Sequence, residues 1–253
     1  MKKVVIDAGH GGRDGGSRWA DGAREKDFTL RLTGDVGEAL TAGWEVEVIQ
    51  TRTVDADVGL GERAEVANRV GADLFLSLHT DAGRPENRGG SMWVWTPKRD
   101  EKNGLRWLPA VASDGTANHE APNSYRLSQF IEPVVKAALV KQGIPWRGIW
   151  CADFQVLRDT DGAGVLIECF FGTNQQDVAV AKGPSFVPVL AKAIARAVAV
   201  ALTLPEKQQP KKKTLLAVQI GAFENPENAE RLLKRLEAAG FAGYIVQKEV
   251  ETG

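Results

Sequence analysis

Residues 72–82 read Ala-Asp-Leu-Phe-Leu-Ser-Leu-His-Thr-Asp-Ala, and the part Ala72–Leu78 is almost continuously apolar. Such a run is typical of a β-strand that is buried on both faces, as the central strands of parallel sheets are. Similar apolar runs alternate along the chain with longer segments that have helical spacing. Strands that alternate with helices predict an α/β fold with a mostly parallel sheet covered on both sides.

The same patterns predict four further strands and four helices. The strands are Lys3–Ile6, Trp44–Gln50, Ser91–Thr96 and Val165–Phe171. The helices are Phe28–Leu40, Gly61–Val70, Tyr125–Gln142 and Phe186–Leu204. Ligands of open parallel sheets bind outside the carboxyl ends of the strands, so polar residues at those ends are candidates for a functional site.

The composition changes at residues 205–213, where Pro-Glu-Lys-Gln-Gln-Pro-Lys-Lys-Lys is polar and flanked by proline. This stretch predicts a linker between a domain of residues 1–204 and a small element of residues 214–253. The element is expected to be β-α-β, with strands at Thr214–Phe223 and Gly243–Val250 around an amphipathic helix at Asn225–Ala239. A piece of about 40 residues is near the size below which a domain rarely folds alone.

The overall composition argues against some classes of function but does not indicate a particular one. A formal net charge of −1 over 253 residues gives no sign of binding to nucleic acid or to an anionic membrane. No segment approaches the ~20 apolar residues of a membrane span, and the first apolar run, Val4–Ile6, is shorter than the roughly 7–15 residues of a signal peptide's core. We therefore expect no membrane insertion, and synthesis in the cytoplasm without a signal peptide. Cys151 and Cys169 are expected to be reduced and packed.

The sequence has only three histidines, and two of them follow or end predicted strands. His10 lies in Asp-Ala-Gly-His-Gly-Gly after the first strand, and His79 comes directly after Leu78. Imidazole and carboxylate groups are zinc ligands, and a catalytic zinc keeps three protein ligands and one open position. Either histidine alone fits a hydrogen-bonded structural residue better, whereas the pair modestly favours a metal site. The third, His119, is predicted to lie at the surface.

Two glutamates stand in contrasting contexts. Glu25 opens the first long helix, where a carboxylate is usually a surface residue that the helix dipole favours. Glu168 interrupts the apolar strand Val165–Phe171, and a carboxylate in a buried strand needs a partner or a function. It is either one half of a buried salt bridge or a general base whose pKa is raised by burial toward the working range.

Six stretches, in order through residues 1–204, resemble the zinc-dependent N-acetylmuramoyl-L-alanine amidases. They are Val5–Gly12, Glu25–Leu30, Gln50–Thr53, Arg63–Asn68, Ala72–Ala82 and Leu166–Asn174. The resemblance implies a mostly parallel, twisted sheet of about six strands. It also implies zinc-assisted hydrolysis of the amide between N-acetylmuramic acid and L-alanine in peptidoglycan. The implied zinc ligands are His10, Glu25 and His79, and the implied catalytic residue is Glu168.

Some residues beside these motifs have weaker assignments. Asp14, Arg63 and Asn174 lie in or near the matching stretches and are predicted to contact the substrate. Thr80 and the pair Cys169-Phe170 depart from the family's usual pattern, which puts the fit of the substrate in question more than metal binding. Trp93, Trp95 and Trp107 could stack on sugar or peptide, although a core role fits most tryptophans better.

Residues 216–241 resemble one half of a sporulation-related (SPOR) repeat, a domain that binds peptidoglycan. A full domain has two such halves. Either the second half is missing from this sequence, or the single half pairs with another copy of the chain or with the catalytic domain. A purely structural tail is the remaining alternative. The sequence thus predicts a wall amidase with a role in cell lysis, as in phage endolysins or mother-cell lysis enzymes, that acts on the wall after release at lysis. A zinc peptidase that cuts within the stem peptide and a non-catalytic wall-binding module are the alternatives.

Overall fold

The computed structural model describes residues 1–95, 108–109, 122–207 and 220–247. The chain divides into two compact units, Met1–Gln208 and Gln209–Gly253. The described strands of the first unit are β1 (Lys2–Ala8), β2 (Val46–Gln50), β3 (Leu74–Asp81), β4 (Gly90–Trp95), β5 (Leu108–Pro109), β6 (Trp146–Ala152) and β7 (Gly164–Phe171). Its described helices are α1 (Glu25–Gly43), α2 (Leu60–Val70), α3 (Pro122–Lys141), α4 (Gln155–Arg158), α5 (Gln175–Ala181) and α6 (Phe186–Ala201).

The strands of the first unit form one sheet in the order β2-β1-β3-β7-β4-β6-β5. The pairs from β2 across to β7 are parallel, as are β4 and β6. Antiparallel pairing occurs between β4 and β7 and at the edge between β5, which has only two residues, and β6. The expected α/β fold with a mostly parallel sheet is therefore confirmed.

Both faces of the sheet are covered, which explains the apolar strands. Val4 and Ile6 of β1 belong to a core formed with α1, α3 and α6. Val5, between them, belongs to a second core, which includes Ala67 of α2 and Val156 of α4. Because successive side chains of a strand point to opposite faces, a strand between two helical layers must be apolar at nearly every position.

Four described elements were not predicted from the sequence. β6 contains Arg147 and Gly148, so the strand lacks a regular apolar pattern. Gly148 also has a φ of 105°, which is not an extended conformation. α4 has 4 residues, α5 has 7 and β5 has 2, which is too short for a periodicity to be recognised.

The first residues of the predicted linker are attached to the first unit. The N–H of Glu45 donates to the carbonyl of Pro205 at 2.8 Å, and the N–H of Lys207 donates to the carbonyl of Gly43 at 2.9 Å. The remainder of the linker, residues 208–213, lies outside the described residues. The domain boundaries 1–204, 205–213 and 214–253 therefore stay a prediction.

Both cysteines, Cys151 in β6 and Cys169 in β7, are buried and form no disulfide. Within the described ranges, no single helix has the length and apolar composition needed to cross a membrane. The helices α5 and α6 meet that test only when they are taken together across a bend of 82°.

The second unit has one helix within residues 220–247, α7 (Pro226–Ala238), as the sequence predicted. The side chain of Asn225 caps it by accepting a hydrogen bond from the N–H of Glu227. Pro226 fits the first turn, where its missing N–H would have no helical partner in any case. No residue of α7 is buried, so packing within the described part of this unit contributes little to the helix.

The two expected strands of this unit are not formed where the structure describes them. Residues 220–223 and 241–247 have no strand, and residues 214–219 and 248–250 lie outside the described part. The expectation of strands at residues 220–223 and 243–247 is therefore wrong. An isolated pair of strands is marginal in water because it lacks neighbours to complete its hydrogen bonds and cover its face.

Candidate metal centre

The loop after β1 places His10 directly over the end of β3. His10 has a φ of 61°, in the left-handed region that residues other than glycine rarely adopt. Gly9 precedes it, and a Cβ at that position would collide with the imidazole of His79. The absence of a side chain at position 9 thus lets the two imidazoles meet edge to face, with ring centroids 4.9 Å apart.

The carboxylate of Glu25 joins the two imidazoles. Glu25 is the first residue of α1 and is only 2% exposed. Its Oε2 lies 3.2 Å from Nε2 of His10, and its Oε1 lies 3.0 Å from Nδ1 of His79. One ligand atom from each of the three side chains falls within 4.8 Å of the others. The structure therefore brings together three residues that are 15 or more positions apart in the sequence.

Backbone groups fix the Glu25 carboxylate in this position. The N–H of Ser17 donates to Oε2 at 2.9 Å, and the N–H of Thr80 donates to Oε1 at 2.8 Å. Burial by itself would raise the pKa of Glu25, but the hydrogen bonds with His10 and His79 outweigh it and hold this pKa well below its usual range. Burial opposes a rise in the pKa of His10, yet Glu25 and Asp14 raise it. A fixed anion between two imidazoles is an arrangement that favours a bound cation.

Glu168 lies beside this cluster on the neighbouring strand β7. It is the ladder partner of His79, so both side chains leave the same face of the sheet. Its Oε2 is buried and has no hydrogen-bond partner among the described residues. Burial, reinforced by the negative charges of Glu25 and Asp81, raises the pKa of Glu168 well above its usual range. The alternative of a buried salt bridge finds no support in the described part of the chain, where Oε2 of Glu168 has no hydrogen-bond partner.

A cleft of about 410 Å³ opens over these residues. A volume of this size is typical of sites that bind a small molecule or part of a larger one. Its lining consists of the polar residues His10, Asp14, Arg63, His79, Gln155 and Glu168, together with Val58, Gly59, Leu60, Phe154, Val156 and Leu166. Two histidines and Glu168 therefore line one cleft, and Glu25, which is buried, contacts both imidazoles.

The sequence profile of the N-acetylmuramoyl-L-alanine amidases matches residues 4–200. The chain belongs to this family. A second profile, that of the SPOR domain, matches residues 194–253. Both resemblances inferred from the sequence are thereby confirmed, as is the prediction that the chain is an amidase.

Named relatives and solved structures agree with this assignment. The endolysin of Bacillus phage SPP1 is 34% identical over 217 residues, which cover 84% of this chain and 72% of that protein. The sporulation-specific N-acetylmuramoyl-L-alanine amidase of Bacillus subtilis (strain 168) is 31% identical over 250 residues, covering 98% and 86%. The catalytic domain of the amidase CwlV from Bacillus (Paenibacillus) polymyxa superposes with a TM-score of 0.68 at 25% identity, covering 81% of this chain and 99% of that one.

The expected localisation is wrong. The relatives include amidases of bacteria, such as AmiA of Escherichia coli and the sporulation-specific enzyme of Bacillus subtilis, as well as a phage enzyme. The amide bond after which these enzymes are named lies in the cell wall, and the SPOR match at residues 194–253 points to the same place. Synthesis in the cytoplasm with release only at lysis therefore does not follow from the short apolar run at residues 4–6.

Asp14 contacts the imidazole of His10, one of the predicted metal ligands. Its Oδ2 lies 2.8 Å from Nδ1 of His10, and its Oδ1 accepts the N–H of Gly16 at 3.0 Å. Asp14 also lines the cleft and is exposed, so the predicted contact with substrate stays a prediction that the geometry permits.

Arg63 lines the cleft of the amidase but directs most of its hydrogen bonds into the protein. It makes four, to the side chain of Asp7 and to the carbonyls of Val58, Ala8 and His10. A guanidinium has five N–H donors, so within the described residues one of them has no protein partner and is open to substrate. The predicted substrate contact of Arg63 rests on that single N–H and stays a prediction.

Asn174 has a clear structural task in the amidase. Its Oδ1 accepts the N–H groups of Gln176 and Asp177 at 3.0 Å, which caps α5, and its Nδ2 donates to the carbonyl of Pro85 at 2.5 Å. Asn174 is buried and does not line the cleft. Its predicted substrate contact stays a prediction, and the geometry favours a capping role.

Sequence reasoning overlooked Arg52, although its motif Gln50–Thr53 was among the matching stretches. Arg52 is 5% exposed and bonds to the carbonyls of the His10 loop. Of the tryptophans considered for stacking, Trp93 is buried against Trp150 and Phe154, as a core role requires. Trp107 and His119 lie outside the described residues.

Proposed function

We propose that this amidase hydrolyses the bond between N-acetylmuramic acid and L-alanine with a zinc ion held by His10, Glu25 and His79. The observation that carries the proposal is the convergence of one ligand atom from each side chain within 4.8 Å. Two imidazoles and one carboxylate suit zinc, and three protein ligands leave a fourth position for water or substrate. The residues present therefore fit this metal.

Hydrogen bonds within the protein fix the orientation of the proposed zinc ligands. When bound, zinc supplies a Lewis acid that polarises the scissile carbonyl and lowers the pKa of water. The hydrogen bond between Nδ1 of His10 and Asp14 leaves Nε2 of His10 as the nitrogen that faces Glu25. Such partners fix the tautomer and the orientation of a ligating imidazole.

Glu168 carries the proton in this proposal. Its Oε2, which has no hydrogen-bond partner among the described residues, accepts a proton from the attacking water and then delivers it to the amine of L-alanine as the amide breaks. A carboxyl group whose pKa is raised by burial suits this task, because it takes up a proton more readily than an exposed carboxylate does. Apolar side chains, including those of Val58 and Leu166, line the same cleft as this carboxyl.

Mass spectrometry of peptidoglycan digested by the purified enzyme tests this function. Free stem peptides with L-alanine at the amino end, and intact glycan strands, are expected. Cuts inside the stem peptide would support the alternative of a zinc peptidase, and the absence of products would leave only wall binding. Either result overturns the proposed reaction.

The C-terminal element is proposed to bind peptidoglycan and to self-associate. The SPOR match supports wall binding, and the exposed apolar side chains of Phe241 and Tyr244 leave surface for a second copy. Co-sedimentation of the full chain with insoluble peptidoglycan tests the first part. Sedimentation equilibrium tests the second, which a monomer at all concentrations would contradict.

A role in cell lysis is a narrower proposal that the likeness to the SPP1 endolysin supports. The enzyme added to permeabilised cells with intact walls is expected to reduce their turbidity. Peptidoglycan cleaved in purified form without any loss of turbidity would argue against lysis while leaving the amidase reaction in place.

A further inference from the structure

Three successive backbone carbonyls in the loop that carries His10 are bound by two buried guanidinium groups. Arg52 donates from Nε to the carbonyl of Ala8 at 3.0 Å and from Nη2 to that of Gly9 at 3.0 Å. Arg63 donates from Nη1 to the carbonyl of Ala8 at 2.6 Å and from Nη2 to that of His10 at 2.7 Å. Every carbonyl from residue 8 to residue 10 thus accepts at least one charged hydrogen bond.

Each guanidinium is itself held by other parts of the fold. Arg63, on α2, forms an ion pair at 2.7 Å with Asp7, which is fully buried in β1. The carboxylate of Asp7 also accepts hydrogen bonds from Thr51 at 2.6 Å and from Ser77 at 2.7 Å. This network therefore ties the position of Arg63 to β1, to β3 and to Thr51, which directly follows β2.

Arg52 follows β2 and is tied to the helix that carries Glu25. Its Nη2 donates to the carbonyl of Lys26 at 2.8 Å and lies 3.1 Å from Oγ1 of Thr29. The Thr29 hydroxyl in turn donates to the carbonyl of Gly9 at 2.7 Å. The loop of His10 and the first turn of α1 are thus joined through one side chain.

The conformation of His10 explains why such a clamp is needed. A left-handed φ at a residue other than glycine is strained, and it persists only where surrounding contacts hold it. Without donors to its carbonyls, the loop would relax toward an ordinary conformation, and the imidazole would leave Glu25. The strain at residue 10 and the charged hydrogen bonds around it are therefore parts of one arrangement.

We infer that Arg52 and Arg63 are positioning residues that preorganise the metal centre by holding the His10 loop in its ligating conformation. The inference rests on the proposed function, because it assumes that His10 binds zinc. Charge-assisted hydrogen bonds from planar guanidinium groups suit the task, since one side chain reaches several carbonyls at fixed angles.

Zinc affinity of the full chain tests the inference, with Arg63→Lys and Arg52→Lys as variants. Lysine keeps the positive charge of either arginine, but its single ammonium group cannot replace the planar guanidinium that binds several carbonyls. Titration against a chromogenic chelator is expected to show a loss of zinc affinity of about 10- to 100-fold in each variant, the range found when partners of metal ligands are removed.

Arg88→Lys is the matched control. Arg88 pairs with Asp177, which is as fully buried as Asp7, and it also donates to the carbonyl of Gly143, but it does not line the cleft. Calorimetry of the metal-free proteins is expected to show that Arg88→Lys and Arg63→Lys both lower the melting temperature. Only Arg63→Lys and Arg52→Lys should lower zinc affinity.

The outcomes separate the inference from the proposed function. Wild-type chain that binds no zinc would overturn the proposed function itself. Wild-type chain that binds zinc, with unchanged affinity in Arg63→Lys and Arg52→Lys, would overturn the inference alone. An equal loss of affinity in Arg88→Lys would also overturn it, because the effect would then follow general stability. Should Arg63→Lys fail to fold, Arg52→Lys decides the question by the same criteria.

Discussion

His79 and Glu168 are direct partners in the parallel ladder between β3 and β7. Their side chains therefore leave the same face of the sheet on adjacent strands, beneath the cleft that also exposes His10. His79 pairs with Glu25, whereas Oε2 of Glu168 is buried without a partner among the described residues. A buried polar atom without a partner needs an explanation, and the proposed transfer of a proton from water to the leaving amine provides one.

Replacement of Glu168 by glutamine should separate metal binding from turnover. Glutamine keeps the shape of the side chain but cannot accept the proton, so we expect kcat to fall by about 10²- to 10⁴-fold with unchanged zinc content. Product release from purified peptidoglycan and atomic absorption measure the two quantities. Glu65→Gln, at an exposed carboxylate on α2, is the control and should match wild type. A zinc-loaded, fully active Glu168→Gln enzyme would refute the role.

Loss of either imidazole should remove both zinc and activity. His10→Ala and His79→Ala each delete one of three proposed ligands, so the metal should be lost on dialysis. His119→Ala removes the third histidine of the sequence, which is predicted to lie at the surface, and should retain both properties. Stoichiometric zinc in dialysed His79→Ala would show that the metal is held elsewhere.

The sequence predicted the central fold because its signals are local and strong. Ala72–Leu78 and Val165–Phe171 are apolar at nearly every position, and the structure buries both faces of these strands between helical layers. β6 has Arg147 and Gly148 in its middle, so nothing in its own pattern marks it as a strand. Its place depends on pairing with β4, which residues far away in the sequence provide.

The candidate ligands could be recognised from the sequence, but the groups that hold them could not. Histidines at strand ends and a glutamate within an apolar strand stand out as residue types. Arg52 does not stand out, because its partners are backbone carbonyls 43 and 44 positions earlier in the chain. Every residue has a carbonyl, so the sequence does not show which ones Arg52 binds. Only the folded chain shows that the guanidinium reaches the loop of His10.

Asn174→Ala should distinguish capping from substrate contact. The side chain caps α5 through two backbone N–H groups, so its loss should lower the free energy of unfolding by about 0.5–2 kcal/mol. Because Asn174 does not line the cleft, KM for peptidoglycan fragments should stay at the wild-type value. Urea denaturation and steady-state kinetics measure these effects. Asn174→Asp keeps the accepting oxygen and is the control for the cap, and a rise in KM in both variants would instead support the predicted substrate contact.

A methyl group at residue 9 should damage the metal centre without unfolding the protein. The Cβ of Gly9→Ala would collide with the ring of His79, so either the ring or the loop of His10 must move. Such overpacking typically costs about 1–3 kcal/mol, and the displaced imidazole should lower zinc affinity at least about tenfold.

Gly34→Ala is the matched substitution, because a Cβ there, in the middle of α1, meets no atom within 4 Å. Alanine is favoured over glycine inside a helix, so this variant should gain about 0.5–1 kcal/mol of stability and bind zinc as wild type does. Chelator competition and thermal unfolding measure both variants side by side. Unchanged zinc affinity in Gly9→Ala would mean that His79 can bind the metal from another position. The close contact between the His10 loop and β3 would then not be required for zinc binding.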